Sequence, residues 1–463
     1  MTTQDDRQRN HVLMVLFVGV LMAALDIAIV GPALPALQHA FGVDQQTLTW
    51  VFTIYMLLNL VGTPLIAQLS DRFGRRSIYT LSVALFAAGS LLVAVAPQIG
   101  LLLLGRAIQG FGAGGIFPVA SAVIGDTFPA ERRGSALGMI GAVFGIAFLI
   151  GPILGGVLLL IGWQWLFLIN LPIALLVIVL GWRLLPGPAQ THQQQFDWLG
   201  TVVLTIVLGL LAYGLTALGD GVATGMVAPW VWLILLVVAV LLPLFVAIER
   251  RVSAPVIDMR LFHNRQIVLV SLLALGAGLS EAITLFVPSL LVAAFVVTPA
   301  IASFMLIPMV IGMGVGSPFS GRMLDRSGSR LVVVSGAVLI AISLIIAGLF
   351  PANLPLYYAF AILFGVGIGV LLGAALRYII LNEVTAAERA AAQGLLSIFI
   401  SIGQLVGAAL IGALVMLRSG IAGYGLAFLV SGLLMVGLAL AATRLKGRQA
   451  ELASMQSASL GVQ

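Results

Sequence analysis

Residues 11–38 form an apolar run long enough to cross a lipid bilayer, which needs about 20 residues of helix. Thirteen more such runs follow, at 47–69, 77–96, 99–124, 134–160, 163–185, 198–219, 227–248, 266–293, 298–321, 331–350, 354–382, 389–417 and 421–443. Short polar loops separate them. The pattern predicts an all-α polytopic membrane protein with 14 transmembrane helices, numbered here as spans 1–14 in chain order. Composition points the same way. With 61% hydrophobic and 8% charged residues, a soluble chain of 463 residues could not hide its apolar surface from water.

The arginines orient the bundle. Of 22 Lys and Arg residues, all but Arg106, Arg377 and Arg418 fall on one side if both termini are cytoplasmic, as the positive-inside rule requires. The basic balance is then topology and lipid-surface charge, and no nucleic-acid partner is implied. The first residues, MTTQDDRQRNH, lack the apolar core and small-residue cleavage site of a signal peptide, so span 1 is expected to remain as an anchor. There is no cysteine, which excludes disulfides and thiolate metal sites. The only lysine is Lys446, so no Gly-Lys-Ser/Thr phosphate loop exists and ATP drive is excluded. Four scattered histidines make neither a metal site nor a proton relay. No Ser/His/Asp arrangement supports an enzyme, and no cofactor is implied.

The chain repeats itself. Ala67–Arg76 reads AQLSDRFGRR after span 2, and Gly321–Arg330 reads GRMLDRSGSR after span 10; Asp71 and Asp325 are 254 residues apart. Ala130-Glu131-Arg132 returns as Ala387-Glu388-Arg389. Two six-helix halves fit, in a 6 + 2 + 6 arrangement. A cytoplasmic tail (1–10) precedes the N-terminal half (11–185). A linker and inserted helix pair (186–248) lead to a loop and the C-terminal half (249–443), then a cytoplasmic tail (444–463). Parallel halves related by an axis along the membrane normal are a transporter architecture, with the site between them.

Asp26 stands in the middle of span 1 with no other charge within ten residues. An acid at that depth costs roughly 2.5–3.5 kcal/mol on insertion scales unless it faces a cavity or a partner. It reads as a proton or cation site, against the alternative of a protonated carboxyl kept for packing. Adding the repeat offset to Asp26 reaches Glu281, the other mid-span carboxylate, in the first span of the second half. Arg106 lies about seven residues into span 4, roughly 10 Å below its outer end at 1.5 Å per residue. That is close to the depth of Asp26, so the two are expected to pair or to share a water cavity; a snorkelling arginine is the alternative.

These residues resemble the major facilitator superfamily, and within it the fourteen-helix drug:proton antiporters. Asp71, Arg72, Gly74, Arg75 and Arg76 match the family's cytoplasmic loop motif, with Ala67 in place of the usual leading glycine. Asp325 and Arg326 stand in the second copy. The resemblance implies that this loop gates the cytoplasmic side; the bare alternative is anchoring by arginine alone. Asp71 is expected near the N-terminus of span 3, where a helix dipole favours negative charge. Arg106-Ala-Ile-Gln109-Gly110-Phe-Gly112 is similar to the family's motif in span 4. Gly145, Gly151, Pro152, Gly155 and Gly156 look like its antiporter signature in span 5, where small residues allow close helix approach. Leu25-Asp26 with Ala33-Leu34-Pro35, and Trp163 to Pro172 with Gln164 in place of the usual Arg, resemble the fourteen-helix branch.

The resemblance implies a proton-coupled antiporter that exports small lipophilic, neutral or monocationic compounds by alternating access. It would act as a monomer in a bacterial-type plasma membrane, with protons, a small-molecule substrate and lipids as partners. Asp26, Glu281 and Arg106 are the expected proton-coupling residues, with Glu281 either a second proton carrier or a site for a substrate cation. Water is expected to reach Asp26 when the cavity opens outward. Tyr55, Asn59, Gln109, Phe111, Phe144, Phe286, Tyr378, Gln393 and Gln404 are expected to line the substrate cavity, although each also reads as plain helix packing. A proton-coupled nutrient importer, a lipid transporter of the same fold, and a channel or scaffold are the alternatives. A scaffold gives no reason for two embedded acids at matched positions.

Overall fold

The computed structural model describes residues 3–43, 45–187, 197–223, 227–252, 255, 257, 259–418 and 420–451. Among them are 14 helical segments long and apolar enough to span a membrane, and no strand. With no water in the hydrocarbon, backbone groups must be bonded within each segment, and helices satisfy this. Span 1 is a single helix, Thr3–Phe41, so from Thr3 onward the expected N-terminal tail is the first turns of that helix. Residues 188–196, in the linker ahead of the inserted pair, and 224–226, between spans 7 and 8, lie outside the described residues.

Nine further spans are continuous. They are Gln45–Phe73, Arg75–Ala94, Ile99–Thr127 and Ala130–Leu159 (spans 2–5), Trp198–Ala223 and Pro229–Glu249 (spans 7 and 8), Ser329–Leu349 (span 11), Arg389–Leu417 (span 13) and Ile421–Ala442 (span 14). The other four are interrupted. Span 6 breaks at Ile169 between Trp165–Leu168 and Asn170–Leu184. In span 9 a 3-10 turn, Ala282–Leu285, separates Arg265–Glu281 from Val287–Phe295. Span 10 breaks at Leu306 between Pro299–Met305 and Ile307–Ser327, and the Tyr357 hydroxyl donates to the carbonyl of Met305 beside the break, 2.8 Å. Span 12 carries a π turn, Leu371–Ala375, between Leu354–Val370 and Leu376–Glu383. Irregular backbone at membrane depth is tolerated where protein buries it or a cavity borders it.

The halves meet chiefly through span 5 on span 10 and span 2 on span 13, and span 7 of the inserted pair lies against spans 2 and 13. Glycines permit the first contact. A Cβ on Gly134, Gly138, Gly141 or Gly145 of span 5 would collide with Gly321, Ser317, Gly373 or Gly314 of the opposite half. Beyond Gly145 the partner changes: Gly151 rests on Ala28 of its own half. The close approaches between halves therefore run from the basic-loop end of span 5 to about its middle. At that same end Gly74 and Gly328, 254 residues apart, make the tight turns after spans 2 and 10 at φ 91° and 82°. A side chain would be strained in that conformation.

Candidate functional site: a sealed ion pair beside a cavity between the halves

Asp26 and Arg106 form an ion pair at 2.6 Å, with both side chains withdrawn from solvent (1% and 0% exposed). The Asp26 carboxylate also accepts from Gln109 Nε2 (2.7 Å) and Asn170 Nδ2 (3.1 Å). Arg106 donates to Gln109 Oε1 (2.6 Å) and to the carbonyl of Val51 (3.0 Å), and its guanidinium lies 4.2 Å from the Tyr55 ring centre. Ser90 accepts from both Gln109 and Asn170. Burying two charges costs several kcal/mol per ion, offset here by mutual attraction and by hydrogen bonds to the remaining lone pairs. Asn170 reaches Asp26 from the first position after the break in span 6. One sequence expectation changes: Gln109 does not line the cavity, because its amide is fully used inside this cluster.

The cavity lies on the other side of Tyr55. It encloses about 200 Å³ between the halves, and its walls include Tyr55, Asn59, Phe144, Gln404, Glu281 and Arg377. Glu281 is the last residue before the 3-10 turn of span 9 and accepts from Gln404 Nε2 at 2.7 Å. Phe111, Phe286, Tyr378 and Gln393 are absent from the walls. The backbone carbonyl of Phe111 is pressed against Gly62 of span 2. Phe286 closes the 3-10 turn and faces Gly412. Tyr378 is buried in the main apolar core. Gln393 is bonded to Arg377 by its carbonyl and its amide (3.1 and 3.0 Å).

At the basic-loop end the Asp71 carboxylate accepts the backbone N–H groups of Ala390 and Ala391, at 3.1 and 2.7 Å. These are the first turn of span 13 in the opposite half, so the dipole it meets belongs to span 13 and not, as expected, to span 3. Arg75 holds Asp71 from the same half, donates to Asp126 (2.9 Å) and reaches the carbonyl of Ala386 (3.0 Å). Asp126 in turn pairs with Arg389 of the opposite half at 2.6 Å. The second loop mirrors the first. Asp325 accepts from the N–H groups of Gly134 and Ser135 at the start of span 5, both at 2.9 Å, and from the Ser135 hydroxyl. Arg72 lies over the Phe73 ring, Arg76 holds the carbonyl of Leu185 (2.9 Å), and Arg326 is exposed.

The span 5 signature divides. Gly145 packs across the halves and Gly151 and Gly155 face span 1, whereas a Cβ on Gly156 would meet nothing within 4 Å. The side chain of Pro152 lies outside the described residues.

Several residues of these clusters escaped the sequence reading. Asn170 and Ser90 are polar residues in apolar spans, and nothing in their spacing points at Asp26. Asp126 sits at a span end, where an acid is unremarkable. Arg377 carried a signal: with Arg106 it is one of two arginines inside spans, and such charges mark function by default. Asp197 and Glu249, at the ends of the inserted pair, are also buried; Asp197 Oδ1 accepts from Gly200 N at 2.7 Å.

Two helical halves with a recurring loop motif, meeting at one end beside a cavity, have the architecture of a membrane transporter. The family model described as Major Facilitator Superfamily matches residues 16–279 and 268–458, and the chain belongs to that family. It is 30% identical to Multidrug resistance protein 3 of Bacillus subtilis (strain 168), over 80% of this chain and 72% of that protein. It is 27% identical to the riboflavin transporter RibZ of Clostridioides difficile (strain 630), over 78% of this chain and 79% of that one. Its fold is similar to the crystal structure of the human organic anion transporter MFSD10 (TETRAN), with TM-score 0.72 and 17% identity over 94% of this chain and 99% of that chain.

Proposed function

We propose that this carrier exports small lipophilic organic compounds, neutral or monocationic at the group facing Glu281, in exchange for protons across a bacterial plasma membrane. It acts as a monomer with both termini cytoplasmic. The observation that carries the reading is the position of Asp26, ion-paired to Arg106 and separated from the cavity by Tyr55. A neighbouring arginine favours the charged form of a carboxylate, whereas burial without one favours the neutral form. Movement of Tyr55 with span 2 would uncover the pair to the cavity, and protonation of Asp26 would loosen its pairing with Arg106. Glu281, bordering the cavity and hydrogen-bonded by Gln404, suits a cargo cation. Asp71 with Arg72, Gly74, Arg75 and Arg76, and Asp325 with Arg326, form the cytoplasmic gate, and Gly134, Gly138, Gly141 and Gly145 of span 5 its packing surface. The multidrug-named relative supports this cargo class; the riboflavin-named relative favours a second reading, a nutrient carrier.

Everted vesicles separate them. With an acidic interior, export predicts uptake of lipophilic cations against their gradient together with proton release. Transport of a vitamin-like solute alone, or flux that ignores the pH gradient, would overturn the proposal.

A further inference from the structure

Arg377 is a buried arginine without a counter-charge. It is 3% exposed, and no carboxylate lies within ion-pair distance of it among the described residues. Nη1 donates to Gln393 (3.1 Å) and Nη2 to Ser397 (3.3 Å), while Nε has no partner. The contrast with Arg106 is direct, since that side chain has its aspartate at 2.6 Å. An unpaired cation at membrane depth is among the costliest groups a bundle can hold. A purely structural link to Gln393 and Ser397 could be made by a neutral amide without that cost.

Three further observations place this charge at a binding surface. Arg377 lines the same cavity as Glu281. It follows the π turn of span 12 by two residues, and such turns are frequent at functional sites. Its guanidinium lies 3.9 Å from the ring centre of Phe117, which comes from span 4 of the opposite half and stands edge-on to Phe144. The cation thus sits where the two halves touch, beside an aromatic wall, with a free donor.

We propose that Arg377 is the anion-recognising group of the cavity, taking a carboxylate or similar acidic group on an aromatic cargo. The occupant supplies the missing counter-charge. Its acid meets Arg377, its ring lies along Phe117 and Phe144, and any basic group faces Glu281. The cargo range then extends from monocations to amphoteric compounds and monoanions. This rests on the cavity being the cargo site.

The test uses the purified full chain in nanodiscs and three matched probes: 2-naphthoate, methyl 2-naphthoate and 2-naphthylmethylamine. Equilibrium binding to wild type should favour the acid over the ester by about tenfold, the scale of one charge-assisted hydrogen bond. Arg377→Gln should abolish that preference, and Arg377→Lys should keep part of it. Equal affinity of wild type for acid and ester overturns the proposal without any variant, as does a preference that survives Arg377→Gln. Flux in proteoliposomes separates the two readings. A chain that prefers the acid but moves none of the probes keeps this inference and sinks the exporter. One that exports the amine and shows no acid preference does the reverse.

Discussion

Asp26 and Glu281 occupy matching places in the two halves, yet their surroundings differ in kind. In the first half the acid and the arginine are bonded to each other, with Gln109, Asn170 and Ser90 completing the network. In the second half Glu281 and Arg377 both reach the cavity, and neither has an oppositely charged partner among the described residues. Repeat symmetry predicts position, and local chemistry then assigns the role. The first half holds a closed charge pair. The second holds two charged side chains of opposite sign that border the cavity. On this account the halves divide the labour, with proton on one side and cargo on the other.

The largest effect expected from this contrast is on stability. Asp26→Asn leaves Arg106 buried without its counter-charge and should cost about 3–5 kcal/mol. The paired change Asp26→Asn/Arg106→Gln should recover much of that loss. Glu281→Gln removes a carboxylate that already borders the cavity and keeps an acceptor for Gln404, so it should cost under about 1 kcal/mol. Thermal denaturation of the purified variants in detergent decides the order. A Glu281→Gln loss equal to that of Asp26→Asn would mean that the two sites are equivalent after all.

The next effect is on the contact between halves. Asp71→Asn weakens charge-assisted bonds to the first turn of span 13, and Asp325→Asn those to Gly134 and Ser135 of span 5, each worth about 1–3 kcal/mol to the closed form. With no native cysteine in the chain, spin labels at Phe73 and Arg326 can report the separation directly. Both variants should broaden the distance distribution to longer values, and to a similar extent. An unchanged distribution in both would reduce these loops to topological anchors.

The smallest effect separates the span 5 glycines. Gly145→Ala places a methyl group against the backbone of Gly314 and should lengthen the same distance, whereas Gly156→Ala meets nothing within 4 Å and should leave it unchanged. Equal responses would detach the glycine pattern from contact between the halves.

The spans and the internal repeat were legible because both rest on local pattern: apolar length and recurring loop residues. The pairing of Asp26 with Arg106 was legible too, because depth can be counted along two antiparallel helices. The partner of Asp71 was not. An offset identifies equivalent residues within each half but not which helix of the other half a side chain meets, and span 13 lies more than 300 positions along the chain. Gln109 was misplaced because sequence shows that a polar residue faces inward, without showing whether inward means cavity or cluster. The helix breaks at Ile169, at Ala282–Leu285 and at Leu371–Ala375 had no glycine-proline signal strong enough to locate them, although they lie next to Asn170, Glu281 and Arg377. Arg377 was visible as a charge within a span, and its lack of an oppositely charged partner among the described residues required the fold.

The most direct test of this division of labour is substrate flux in proteoliposomes, measured with and without an imposed pH gradient. It should be run on wild type, Asp26→Asn and Asp26→Asn/Arg106→Gln. Wild type should accumulate a lipophilic cation against its gradient when only ΔpH is supplied. Both variants should lose that accumulation and keep downhill exchange, because the cavity walls are untouched. Uphill accumulation by either variant under ΔpH alone would contradict the assignment of the proton to Asp26.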